Sequence, residues 1–507
     1  MRYRILTPAN AVHAPSGGTS HAHQDGLNTI KNIQNADINK AKLARSEGRL
    51  FTPTWTPFNS AATQLVDEIL EAAGVTETRS KIQLRYQIVI ASLLAQTAHI
   101  VLNDKPVLSV PQTAKAYDNY DVGLTVISKV VKALEKLGYL THLPISGKRH
   151  WYEDDKGKKR FIGIVSQYNV NQSLMDLDGF WDATWIETHR PTVLVSIPET
   201  ENARQKRKAS GYKAKALRPS EMKTTFKRDY ASILSGVNLL ASYWRQHPLR
   251  LPPIYKEHMT YAASAYRRYH NGRIDCGGRY YGAWSGINSN QRLLCTIDDE
   301  PVIEVDLNAS QPTLFSSLMG QTMEVGNTWD DLYGEILGGF NIGETKDTFK
   351  ARRNKLKQVA LELIGTGNVN KANPAPDSGI SWRDQGEFNM YRLALLHHVP
   401  ALNKLEKQQD GYLHGAGFIS FHEAEIMQHT LVALMDQEIP AYPIHDCCLV
   451  KKSDQTKAVE TYRSVIREYV LAQNRLNDTD EIDVTVPVSI EEAGMDKVRL
   501  YGKYTVS

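Results

Sequence analysis

The chain has 507 residues, 41% hydrophobic and 23% charged, a globular balance that excludes collagen, a coiled-coil rod and wholesale disorder. At roughly 150 residues per domain this length predicts about three domains. Because 60 Lys and Arg face 56 Asp and Glu, for a net charge of +4, a nucleic-acid-binding surface has to come from local clustering rather than from overall charge. The four cysteines, Cys276, Cys295, Cys447 and Cys448, are too few for a disulfide scaffold and contain no CxxC pair. They predict a reducing compartment and no structural zinc.

Residues 1–55 are polar and turn-rich, as in Pro15-Ser-Gly-Gly-Thr-Ser-His-Ala-His-Gln-Asp-Gly26, and read as a loose tail. No long apolar segment follows Met1, so a soluble cytoplasmic chain without a membrane partner is expected. Asn59-Ser60 begins a helix with apolar positions at Ala62, Leu65, Val66, Ile69 and Leu70. A second helix is predicted over 82–102; its apolar run from Ile88 is interrupted by Gln96 and His99 and is too short to span a bilayer. Val110–Tyr117 predicts a short helix. Leu124–Gly138 predicts a longer one, with Val126, Ile127, Val130, Val131, Leu134 and Leu137 on one stripe and Lys129 and Lys132 off it. Strands are expected at Tyr139–Ile145 and Phe161–Val165, around a basic turn holding Lys148 and Arg149.

Short helix, turn, longer helix and β-hairpin is the order of a winged helix-turn-helix, and Leu134-Glu-Lys-Leu-Gly-Tyr-Leu140 resembles that family's recognition helix running into its wing. The resemblance implies a DNA-binding domain over 56–175, with Lys129 and Lys132 on the recognition helix and Lys148 and Arg149 on the wing. Residues 176–245 read as a basic linker. Ten Lys or Arg stand between Arg204 and Arg228 against the single acid Glu221, a segment suited to tracking phosphates.

Residues 246–507 carry the chemistry. Pro301-Val-Ile-Glu-Val-Asp306 is an alternating strand that ends on a carboxylate, and Leu314, Phe315 and Leu318 follow at helical spacing. Ile439-Pro-Ala-Tyr-Pro-Ile-His-Asp-Cys-Cys-Leu-Val450 reads as a tight strand-turn-strand with His445-Asp446 at the tip. Between them, Arg353 and Lys357 share one face of a helix whose opposite face is Leu356, Val359, Ala360 and Leu363. Two strand-borne aspartates are the hard-oxygen donors that two-metal phosphoryl transfer uses, and two cations on a helix suit a triphosphate.

In this order the three blocks resemble motifs A, B and C of family A right-hand polymerases, which include the single-subunit phage-type RNA polymerases. The similarity spans roughly residues 265–455. It implies an α+β fold: the N-terminal winged helix, then a palm with an antiparallel sheet and a helical fingers insertion. It further implies two Mg²⁺ ions (with Mn²⁺ as a substitute) on Asp306 and Asp446, and His445 supporting the primer side. Arg353, Lys357, Gln311 and Arg292 fall at nucleotide-binding positions, and Arg273 and Gln428 at DNA-contacting ones. Gly277-Gly-Arg-Tyr-Tyr281, with Asp306 to Pro312, is similar to palm-like proteins of mobile elements.

The expected activity is template-directed DNA synthesis from primed DNA and nucleoside triphosphates, in a phage or mobile element. An RNA polymerase or primase, or a catalytically inactive DNA-binding initiator, are the alternatives. The chain departs from the family where Gly365 and Thr366 replace the expected Tyr-Gly; Tyr280, Tyr281 and Trp284 are other candidates for stacking. Gln311 favours deoxynucleotides by bulk, whereas Cys447 is nearer to the small residue of the RNA enzymes. Glu304, two residues before Asp306, is either an additional ligand or a partner for Arg279.

Overall fold

A computed structural model describes residues 49–500 except for scattered positions and the longer stretches 103–106, 145–148, 154–158, 204–214, 253–259, 322–331, 375–379, 406–414 and 477–486; it leaves out side chains in 149–163. The fold is α+β, with largely antiparallel sheets.

The N-terminal core is built from helices Ser60–Ala72, Ser80–Leu102 and Leu124–Lys136. Asn59 caps the first, accepting from the Ala62 amide at 2.9 Å. Ile127, Val130, Val131 and Leu134 turn the third inward, and Gly138 ends it at φ +77°, the left-handed position where glycine carries no Cβ penalty. The expected short helix over 110–117 is only a 3₁₀ turn at Ala114–Tyr117. Val110 instead completes strand Val107–Val110, because Val-Leu-Ser-Val suits a half-buried strand and Pro111 cannot continue the ladder. That strand pairs antiparallel with Ser166–Val170, which pairs in turn with Leu140–His142. Arg149–Glu153 and Lys159–Gly163 form a separate hairpin between them, so the strand expected at Phe161–Val165 is the end of Lys159–Gly163 and does not reach Val165.

The boundaries expected at 55 and across 176–245 are corrected. Phe51 and Trp55, at 1% and 5% exposure, belong to the N-terminal core rather than to a loose tail. Within the expected linker, strand Trp185–Glu187 pairs with Trp55–Pro57 and Thr260–Ala262. Trp185 enters the N-terminal core and Ile186, on the opposite face, enters the C-terminal one. Helix Pro219–Trp244 buries Val237, Leu240, Ala241 and Trp244 in the C-terminal core. Charge density hid this apolar stripe. The densest basic stretch, 204–214, lies outside the described residues.

Strand Glu300–Leu307 is the axis of the C-terminal body. It pairs antiparallel with Cys447–Lys451 on one side and with Val488–Glu492 on the other, and Val302, Ile303, Val305 and Leu307 bury its length. Helix Ala416–Met435, apolar nearly all round, packs against strand Gly277–Gly282 and helices Ser310–Leu318 and Gln455–Leu476. Lys346–Thr366 is one helix that buries Leu356, Val359, Ala360 and Leu363.

Candidate active site

The Asp306 strand and the His445-Asp446 turn meet at one end of the central sheet. Asp306 stands opposite Cys447 in the ladder, and the Leu307 amide donates to the Asp446 carbonyl at 3.4 Å. Strands Ala441–Ile444 and Cys447–Lys451 leave only two residues between them, so His445 takes φ +58° to close the turn. Tyr462, from helix Gln455–Leu476, donates its hydroxyl to the Asp446 carbonyl at 2.6 Å and fixes the turn from behind. Two carboxylates distant in the chain thus come onto adjacent strand ends.

Their surroundings are electrostatically strained. Burial, and next the neighbouring Glu423, push the Asp446 carboxyl up to about 6, while Arg279 and Lys357 pull the other way. His445 is pulled down to about 4 by burial first, then by Arg279 and Arg292. Its Nδ1 is shut away from solvent without a hydrogen-bond partner among the described residues.

Glu423, on helix Ala416–Met435, is a buried acid beside this turn. Its side chain is 1% exposed, ion-paired with Arg279 and hydrogen-bonded by the Ser310 hydroxyl. It ties strand Gly277–Gly282 and the helix after Asp306 to helix Ala416–Met435. Periodicity could have flagged it, since an acid flanked by His422 and Ala424 on an apolar helix has to find a buried cation. Glu304 pairs with Arg292 rather than Arg279: Nη2 lies 2.7 Å from its carboxylate, with side chains 10% and 8% exposed. Arg292 also donates to the Ile287 carbonyl at 2.8 Å. The Arg292 guanidinium, expected at a nucleotide-binding position, is placed here as a support of the Asp306 strand.

Arg353 and Lys357 keep their shared helix face. The Arg353 guanidinium lies 5.6 Å over the buried Tyr333 ring, and exposed Lys357 is near enough to act on the Asp446 carboxyl. Gln311 is half-buried in the first turn of the helix that follows Asp306. Arg273 pairs with Asp275, Nε and Nη2 each at 2.8 Å. Gln428, half-buried, accepts from the buried Tyr280 hydroxyl and lies against Gly236. In the N-terminal body Lys132 is exposed, and exposed Lys129 holds its ammonium 5.0 Å over the Tyr86 ring. Lys148, and the side chain of Arg149, lie outside the described residues.

Among the described residues no group of three or more His, Cys, Asp or Glu side chains is gathered as a metal site. The Asp446 carboxyl is raised by burial first and by Glu423 second, and a divalent cation beside it would favour its ionised form. No described helix is long and apolar enough to cross a membrane. The sequence matches no protein-family model and no curated protein.

Proposed function

We propose that this chain is a template-directed nucleotidyltransferase with a palm of the family A polymerase type, and that it synthesises DNA. The observation that carries the reading is the meeting of Asp306 and Asp446 on adjacent strand ends, beside a helix that presents Arg353 and Lys357. Asp306 and Asp446 would hold Mg²⁺, which when bound supplies activation of the 3′-hydroxyl and neutralisation of the triphosphate. Lys357 and Arg353 bind the incoming triphosphate, Arg353 being steadied on the Tyr333 ring. Glu423 and Arg279 fix the strand beneath the turn. Gln311 crowds the position of a 2′-hydroxyl and selects deoxynucleotides.

The order of helix Ser80–Leu102, strand Val107–Val110, the 3₁₀ turn, helix Leu124–Lys136 and the antiparallel strand set supports a winged helix that holds duplex DNA, with Lys129 and Lys132 at the groove.

The test supplies primed and unprimed templates with dNTPs or rNTPs and Mg²⁺. Extension of the primed template with dNTPs, lost in Asp446→Ala, is expected. Extension that survives in Asp446→Ala removes the catalytic assignment. Unprimed synthesis from rNTPs would instead establish a primase or RNA polymerase. Removal of residues 1–175 is expected to weaken duplex binding.

A further inference from the structure

We propose that Tyr266 and Tyr281 form a nucleobase-stacking platform that seats the end of a DNA strand beside the His445-Asp446 turn. The choice of ligand rests on the nucleotidyl-transfer reading above. Strands Ala265–Tyr269 and Gly277–Gly282 pair antiparallel, with Tyr266 opposite Tyr281 and Arg268 opposite Arg279. Alternation sends Arg267, Tyr269 and Tyr280 to the buried face, where the Arg267 guanidinium lies 5.2 and 5.4 Å from the two rings and 2.6 Å from Glu425. The opposite face carries Tyr266, Arg268, Arg279 and Tyr281, all half-buried.

On that face the Tyr266 and Tyr281 rings stack, with centroids 5.5 Å apart and planes inclined by 23°. Tyr281 then meets the His445 ring edge-on at 5.5 Å and 69°. The aromatic surface therefore runs up to the residue before Asp446. Neither tyrosine belongs to the described hydrophobic cores. Arg268 forms no ion pair among the described residues, which leaves a cation on the same face for phosphate.

A flat base stacks on an aromatic whatever its identity, and an adjacent arginine neutralises the backbone. The other two stacking candidates are spent elsewhere. Trp284 is fully buried and donates to the Pro443 carbonyl at 2.8 Å, and Tyr280 is buried against Gln428.

The experiment uses the full chain with EDTA, no nucleotides, and primed DNA carrying 2-aminopurine at the 3′ end. Wild type is expected to quench the probe. Tyr281→Leu and Tyr266→Leu are expected to lose the quenching and to bind about tenfold or more weakly, with thermal midpoints near wild type, and Tyr281→Trp to restore it. Undiminished quenching and affinity in both leucine variants overturns the platform. If Tyr281→Leu does not fold, Tyr266→Leu decides alone. Platform-dependent quenching by a wild type that never extends a primer would refute nucleotidyl transfer and leave the platform standing. Extension with no platform dependence would do the reverse.

Discussion

At the scale of single residues, the turn at His445-Asp446 is assembled against its own stability. The Asp446 carboxyl is raised to about 6 by burial and by Glu423, so near neutral pH its ionised form opposes folding. Asp446→Asn, which has no charge to bury, is expected to unfold at higher denaturant than wild type at pH 7 with EDTA present. That advantage should shrink as pH falls through 6 and the wild-type carboxyl takes up its proton. The same substitution should lower nucleotide transfer by more than about a hundredfold, beyond the loss typical of a residue that only supports a ligand.

His445 has the opposite sign. Its pKa is lowered to about 4, so between about 6.5 and 4 the unfolded state binds more protons and the native state weakens with acid. His445→Asn should therefore lose less stability than wild type between pH 7 and pH 5, as read from urea midpoints. Deeper in the sheet, Glu304→Ala strands the Arg292 guanidinium, buried with its carboxylate partner at 2.7 Å. An equilibrium melt should register about 3–5 kcal/mol of destabilisation.

At the scale of elements, the Gly277-Gly278-Arg279 run is a backbone requirement before it is a signature. Gly277 and Gly278 take φ +85° and +95°, in register with the irregularity between Arg268 and Tyr269. A Cβ on Gly278 would meet the Tyr269 ring at 2.7 Å and the Arg267 guanidinium at 3.0 Å. Neither atom can give way without disturbing the buried Arg267–Glu425 pair. Gly278→Ala is expected to cost about 2 kcal/mol or more and to displace Arg279 from Glu423. The measurement is a denaturant melt alongside primer extension, both of which should suffer. Gly277 and Gly278 thus let one strand bury Tyr280 on one face while it delivers Arg279 and Tyr281 to the site.

At the scale of the whole molecule, the N-terminal and C-terminal cores share a strand. Trp185 and Ile186 are adjacent residues in different cores, and Trp244 stacks on Tyr442 at 5.4 Å while its indole donates to the Ala441 carbonyl at 2.8 Å. A fragment of residues 246–507 lacks both Ile186 and Trp244 and leaves strand Thr260–Ala262 without its parallel partner. It is expected to melt broadly or aggregate, whereas residues 176–507 should retain a cooperative transition by circular dichroism. A sharp transition in the shorter fragment would show that the C-terminal body is independent of residues 176–245.

The sequence by itself determined the elements whose periodicity is strong. Asn59 capping its helix, the apolar stripes of Leu124–Lys136 and Lys346–Thr366, and the two-residue turn at His445-Asp446 all follow from local spacing and hydropathy. Local chemistry also marked Asp306 and Asp446 as costly carboxylates needing compensation. Only the tertiary structure decided which cation meets which acid. Arg279 and Arg292 are both arginines upstream of Glu304, yet the packing of helix Ala416–Met435 on strand Gly277–Gly282 gives Glu423 to the first and leaves Glu304 to the second. Likewise, three aromatics looked interchangeable until strand alternation buried Tyr280, the indole core took Trp284, and Tyr281 was left facing outward. Pairings of this kind depend on contacts between residues far apart in the chain, where burial and geometry select among partners that local propensity cannot distinguish.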